Sequence, residues 1–417
     1  MELSVSCTVR ITVTDCSVNA LEAAALQGAR EAGQRLFVAL LQLVEQRRAT
    51  PERTCRCGGR FLSHDLRARE LVTVVGTVQF TRRRLRCTRC RTERYPLDET
   101  LGLPPRHLVT RGVAEWALWL GTEMAYDRAA ASLEKLAGIQ LSDGTIKLLT
   151  REEGTLLLAQ QAQERQAVFG RGETVPEGTP KPRVFVQVDG TGINDRATKG
   201  WFEAKVGVIY SERKEVAKDR IEIVDKRTYA TVEDIATFRE AFTLEATRFG
   251  VFQAQEVLFV SDGASWCQQL HRDSFPDAAY VLDFWHLNRN LRIALGAKRA
   301  RIAEGLLALA GRGEVAGMLR WLHELHGRSR DPTDQIKLTE LLTYIEHNAE
   351  GIHNAVKLDF YGSGPVEKAV DVTICRRFKK RGMSWYVHGA DPLLALRLLK
   401  LNREWETYWR NRGLRTV

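Results

Sequence analysis

No stretch of the sequence is apolar for long enough to cross a membrane. The longest run, Leu36 to Val44 (LFVALLQLV), is broken by Gln42 and is far shorter than the roughly 18 apolar residues a span needs. The opening MELSVSCTVR lacks the pattern of a signal peptide. These absences predict a cytoplasmic chain with no membrane partner. Cysteine is scarce too: eight in 417 residues cannot staple a disulfide scaffold, so clustered cysteines read as metal ligands. With 44% hydrophobic and 27% charged residues the composition is that of ordinary globular protein, which excludes collagen-like and disordered classes for most of the chain. No internal repeat at a fixed period is present. What exceeds balance is positive charge: 62 Lys plus Arg against 52 Asp plus Glu leaves a net +10, with a pI near 9.3. That modest surplus suggests a polyanionic partner, and its distribution says more than its sum.

Residues 1–50 read as an alternating strand (LSVSCTVRITVTD) followed by an amphipathic helix from Ala20 to Arg48. Residues 51–104 carry the clustered cysteines. Residues 105–169 are expected to be helical, and the break at Gly138 with Ser142 as N-cap makes a candidate helix-turn-helix for DNA binding. A linker is placed at 170–182, where Gly, Pro and charge replace periodic apolar residues. Beyond it, RVFVQVD, KVGVIYS and RIEIVDK read as strands, Val232 to Phe249 as a helix and EVLFVSD as a strand. A short helix from Ala264, the strand YVLD and a helix near His286 complete an α/β order βββαβαβα over 183–287. Residues 288–357 hold no convincing strand and read as an all-helical insertion; 358–417 complete the core and add a C-terminal helix.

Tetrahedral Zn²⁺ takes four thiolates from two closely spaced pairs, as in zinc ribbons. Cys55 and Cys57 form a CxC, Cys87 and Cys90 a CxxC, and a hairpin would join them as a structural zinc site. Around the second pair, Thr81 to Arg94 (TRRRLRCTRCRTER) contains seven Arg and one Glu, so Arg82, Arg83, Arg84, Arg86 and Arg89 are candidate phosphate contacts on double-stranded DNA. Arg376, Arg377, Lys379 and Lys380 form a second basic run with the same candidate role.

Two strands end alike: VFVQV runs into Asp189-Gly190, and VLFVS into Asp262-Gly263. Asp-Gly after a strand is ordinary turn chemistry. The element order, however, would put strands one and four side by side and bring both carboxylates together, where they could share divalent metal. A third carboxylate is needed, and spacing leaves Glu346, Glu350, Asp359, Glu367 and Asp371 open.

The segments VFVQVDGTGIN, VLFVSDGASW, FPDAAYVLDFWHLNRNL and GSGPVEKAVDVTICRRFKKRGMSW together resemble the Mutator-like DDE transposases, specifically bacterial insertion-sequence transposases of the ISKra and ISLre types. The resemblance implies a ribonuclease-H-like catalytic domain, with Asp189, Asp262 and Glu367 holding two Mg²⁺ or Mn²⁺. It also assigns an accessory role to Asp283 and His286, whose spacing otherwise suits a helix cap and a structural histidine. The implied activity is cleavage at the ends of a mobile element and transfer of the freed 3′-hydroxyls into target DNA, by a homodimer or larger assembly. The alternatives are a ribonuclease-H-like nuclease without strand transfer and an inactive, domesticated zinc-containing DNA-binding protein. A recombinase using Ser261 or Tyr280 as nucleophile lacks the organised basic surroundings such chemistry needs.

Overall fold

The computed structural model describes every residue except 1–3, 14, 48–53, 104–107, 218–219, 359, 361 and 413–417, so Asp359 and the end of the first expected helix lie outside the described residues. The fold is mixed α/β. The chain separates into two units, Met1–Thr150 with Trp409–Val417, and Arg151–Tyr408. Among the described residues no helix is long and apolar enough to cross a membrane.

In the first unit, α1 (Val18–Arg47) packs Leu41 against Leu71, Val78 and Phe80 of a hairpin. The hairpin strands are β1 (Phe61–Thr73) and β2 (Gly76–Cys87), and β3 (Glu93–Arg94) adds to the free edge of β2. Gly76 sits at φ +111°, a conformation side chains resist, and its carbonyl accepts the Thr73 hydroxyl at 2.7 Å, which closes the turn. Then come α2 (Pro96–Thr100), α3 (Arg111–Gly121), α4 (Tyr126–Ala137) and α5 (Asp143–Arg165), the last running on into the second unit. Gly138 ends α4 in the left-handed region, and Ser142 Oγ accepts the Thr145 amide at 3.1 Å to start α5. Residues 4–13, expected as a strand, form none. Their apolar positions serve α1 instead: Ile11 fills the space beside Gly28, and Arg35 donates to the Thr8 carbonyl at 2.7 Å.

In the second unit, residues 172–182 carry no helix or strand and are fixed to the unit by Gly178 N–H to Thr247 O at 2.9 Å and Gln255 N–H to Lys181 O at 3.0 Å. A five-stranded sheet follows, built from β4 (Arg183–Asn194), β5 (Trp201–Ala217), β6 (Arg220–Thr231), β7 (Glu256–Ser261) and β8 (Ala279–Leu282). Its order is β6-β5-β4-β7-β8, with β4, β5 and β6 antiparallel and β4, β7 and β8 parallel. Helices α6 (Ile235–Phe249) and α7 (Ser265–Ser274) make the crossovers. Period-two alternation divides β4 between its faces. Val188 lies beside Gly207, whose missing side chain admits Phe242 of α6. Phe185, Gln187 and Asp189 share the opposite face, where Phe185 stacks on Tyr210 at 4.8 Å and on Phe360 at 5.1 Å.

Helices α8 (Phe284–Leu295), α9 (Ala300–Ala310), α10 (Val315–Arg328), α11 (Pro332–His347) and α12 (Ala349–Lys357) close their own core around Leu287, Leu291, Met318 and Leu341. The chain returns to the sheet as α13 (Gly364–Val370), continues through a π-helical turn at Asp371–Cys375 into α14 (Arg376–Phe378), and ends in α15 (Val387–Leu401) and α16 (Trp405–Arg412).

Candidate functional site

The parallel register of β4 and β7 pairs Arg183 with Glu256 and Gln187 with Val260; carried two residues further, it sets Asp189 level with Asp262. Each aspartate uses one oxygen at home. Asp189 Oδ1 accepts the Gly190 amide at 2.7 Å, and Asp262 Oδ1 accepts the Ala264 amide at 2.9 Å. Their other oxygens accept no hydrogen bond from a described residue. Burial, then repulsion from Asp262 and Glu367, pushes the Asp189 carboxyl up to about 6, against the pull of the Gly190 amide and His286.

Glu367 enters this field from the first turn of α13, with Oε1 accepting the Ser363 hydroxyl at 3.3 Å. Of the other carboxylates left open by spacing, Asp371 is taken by Lys368 and Arg376, at 3.2 and 2.9 Å, while Glu346 and Glu350 are exposed on α11 and α12.

Asp283 is wholly buried and caps α8 by accepting the Trp285 and His286 amides. The same carboxylate lies 2.8 Å from Ser363 Oγ and 2.6 Å from His286 Nδ1, so the single Ser363 proton is shared between Asp283, the nearer acceptor, and Glu367. Burial alone would lower the His286 pKa; the Asp283 bond and the negative field of Asp262 and Asp189 raise it above the usual imidazole value.

Sequence reasoning missed the residues that hold these groups in place. Gln187, fully buried, accepts the Val366 amide at 3.0 Å and donates to the Gly362 carbonyl at 3.3 Å and the Tyr210 hydroxyl at 3.1 Å. It thereby ties the helix of Glu367 to the strand of Asp189. From α11, Tyr344 donates its hydroxyl to the Asp262 carbonyl at 2.9 Å. Asn348 accepts the Tyr280 hydroxyl at 2.7 Å beside Gly263. A polar residue inside VFVQVD was the one available signal; nothing local marked Tyr344 or Asn348.

In the first unit, pairing of Phe61 with Cys87 brings the two cysteine pairs to one end of the hairpin. All four Sγ atoms lie within 4.8 Å of one another, with Cys55 and Cys90 3.6 Å apart and Cys57 and Cys87 3.5 Å apart. A disulfide needs about 2.05 Å, whereas ligands about 2.3 Å from a tetrahedral zinc stand about 3.8 Å apart. The spacing is therefore that of a metal site. Hydrogen bonds from Thr92 pull the Cys90 thiol down to about 6. The Cys57 amide pulls Cys55 the same way, but burial and the neighbouring thiols push it up to about 11.

Several arginines expected on DNA are engaged internally. Arg82 pairs with Asp98 at 2.6 Å and stacks on Tyr95. Arg84 holds Asp65 through Nε at 2.8 Å and Nη2 at 2.9 Å. Arg377 is 1% exposed, its guanidinium 4.9 Å from the Trp385 ring, which makes it a core residue and corrects its place among surface contacts. Arg86 is half-buried, and Arg89, although exposed, donates to the Cys57 carbonyl at 2.7 Å. Arg83, Arg376, Lys379 and Lys380 are exposed.

The model of an uncharacterised protein family, UPF0236, matches residues 12–411. A relative named "UPF0236 protein in vanSb 3′ region", from Streptococcus gallolyticus, is 25% identical over 362 residues, covering 83% of this chain and 75% of that protein. These matches overturn the resemblance to Mutator-like DDE transposases: the family found across almost the whole chain is a different one, and neither description names a transposase.

Proposed function

The chain belongs to UPF0236, and from that premise we propose that it is a divalent-metal-dependent enzyme that cuts DNA strands at the ends of a mobile element and joins their 3′-hydroxyls to target DNA. The observation that carries this reading is the meeting of Asp189, within β4 just past its pairing with β7, Asp262, just past the end of β7, and Glu367, in the first turn of a helix. The sheet order, third strand to second to first to fourth to fifth, with the first three antiparallel, supports a ribonuclease-H-like catalytic unit.

The donor set suits Mg²⁺ or Mn²⁺, which prefer carboxylate oxygen. Each of the three side chains has one oxygen that accepts no hydrogen bond from a described residue, and the concentration of charge that raises Asp189 is what a cation relieves. Bound there, a metal pair would supply activation of the attacking oxygen and stabilisation of the departing one. Asp189, Asp262 and Glu367 hold that charge in place. Gln187 and Ser363 fix the approach of α13, while Asp283 fixes the ring of His286, leaving its Nε2 to hold or release a proton at the edge of the cluster. The cysteine site serves as a structural zinc knuckle that stiffens the hairpin bearing Arg83.

The test is incubation of the purified chain with Mn²⁺ and DNA carrying the ends of the surrounding element. Metal-dependent nicking and joining, lost in Asp189→Asn, Asp262→Asn and Glu367→Gln, is the expected result. Nicking without joining would favour a nuclease. DNA binding with neither reaction would favour a domesticated binding protein.

A further inference from the structure

Beyond Asp189, β4 continues to a hairpin at 195–200 that stands against the segment following α14. Trp385 donates its amide to the Asn194 carbonyl, and Arg196 donates to the Trp385 carbonyl, both at 2.9 Å. The surface so formed exposes two aromatic rings, Trp201 at 69% and Tyr386 at 42%. Trp201 lies over Gly192, where a Cβ would come within 3.2 Å of its ring, and the Arg196 guanidinium is 5.9 Å from the Tyr386 ring.

In the hairpin and the segment it stands against, Arg196, Lys199, Lys380 and Arg381 are exposed, and none of them pairs with a carboxylate among the described residues. The one acid in the turn, Asp195, is occupied by the Ala197 amide and the Thr198 hydroxyl, both at 2.8 Å. Lys379 reaches Thr191 Oγ1 at 2.6 Å, two residues past Asp189 and so about 7 Å along the strand.

Trp201, and Tyr386 with His388 stacked on one face at 5.3 Å, leave ring surface open near uncompensated cations, which suits an occupant offering flat apolar faces and regularly spaced anions. Duplex DNA presents phosphates but keeps its base faces stacked; an unpaired strand presents both. We infer that this surface binds single-stranded DNA, with Trp201 and Tyr386 each stacking on an unpaired base and Arg196, Lys199, Lys380 and Arg381 meeting phosphates. The inference deepens the proposed function and rests on it: it names the form of DNA that the chain holds.

The experiment measures binding of the full chain, without added divalent metal, to fluorescein-labelled oligo-dT of about 15 nucleotides, to a duplex of equal length and to phosphatidylserine vesicles. Trp201→Ala with Tyr386→Ala should weaken oligo-dT binding by about 10-fold or more and leave duplex binding and the salt slope nearly unchanged. Trp201→Phe with Tyr386→Phe should restore most of it. Serine at the four cations should flatten the salt dependence. Unchanged oligo-dT affinity in the alanine pair, or binding confined to vesicles, would overturn the inference. Because no cleavage is read, the two ideas fail separately: loss of oligo-dT binding in a chain that never cuts DNA removes the proposed function alone, and metal-dependent cutting with an indifferent alanine pair removes the surface alone.

Discussion

The side-chain amide of Gln187 and the backbone amide of Val366, 179 residues apart in sequence, meet at 3.0 Å. This bond crosses from the strand that carries Asp189 to the helix that presents Glu367, so the two carboxylates share one scaffold although the helical insertion lies between them in the chain. Gln187→Met keeps the volume and removes three hydrogen bonds. It should lower stability by about 1–3 kcal/mol, through the unpaired Val366 amide and Gly362 carbonyl, and lower kcat by about 10-fold with little change in KM for DNA. A variant that loses stability but turns over normally once folded would make Gln187 structural only.

Tyr344 provides a gentler probe. Tyr344→Phe removes only the hydroxyl that bonds the Asp262 carbonyl at 2.9 Å. Strand cleavage should slow several-fold while the midpoint of thermal unfolding moves by a few degrees at most. Cleavage at the wild-type rate would show that the insertion does not position Asp262.

The pH dependence of stability follows from Asp189 and His286. Asp189 titrates at about 6 when folded and at about 3.9 unfolded, so between these values the native chain binds more protons than the unfolded one. Stability of the metal-free protein should therefore rise as pH falls from about 7 to about 4 and be lost as pH rises through the folded value, with His286, also raised, acting in the same direction above its unfolded value. At pH 7, Asp189→Asn should be about 1–2 kcal/mol more stable than wild type, a figure discounted for partial exposure. Denaturant titrations across pH would measure it; a variant less stable than wild type at pH 7 would contradict the raised carboxyl.

The cysteine site makes an independent prediction. The purified chain should carry one zinc per molecule by elemental analysis, and Cys57→Ser or Cys87→Ser should lose it and melt the hairpin that Phe61 and Cys87 close. A zinc-free chain with an unchanged melting profile would leave the four thiols without a metal.

How much of this was legible in the sequence depended on the range of the forces involved. Apolar runs in RVFVQVD and EVLFVSD identified strands because that signal is local; Asp262-Gly263 does follow the end of β7, but the turn expected at Asp189-Gly190 is absent, since both residues stay paired with β5 and β4 runs on to Asn194. Two short cysteine spacings sufficed for the four-cysteine cluster because a hairpin register did the rest. The third carboxylate was not legible from spacing: its placement depends on Gln187, Ser363 and Asp283 meeting over separations of 80 to 179 residues. Residues 4–13 alternate as a strand does but have no ladder partner, and α1 took their apolar side chains instead. Arg82, Arg84 and Arg377 looked like a charged surface because sequence does not reveal Asp98, Asp65 or Trp385 beside them. The family resemblance failed more plainly: it rested on four short fragments, and the family that matches residues 12–411 is UPF0236.

The central claim is that Asp189, Asp262 and Glu367 together hold divalent metal, and the most direct measurement is Mn²⁺ binding to the zinc-loaded full chain by electron paramagnetic resonance. The account predicts about two Mn²⁺ per chain in the presence of DNA, with binding weakened at least about 10-fold in Asp189→Asn, Asp262→Asn and Glu367→Gln alike. Mn²⁺ binding that is absent in the wild type, or indifferent to all three substitutions, would contradict it.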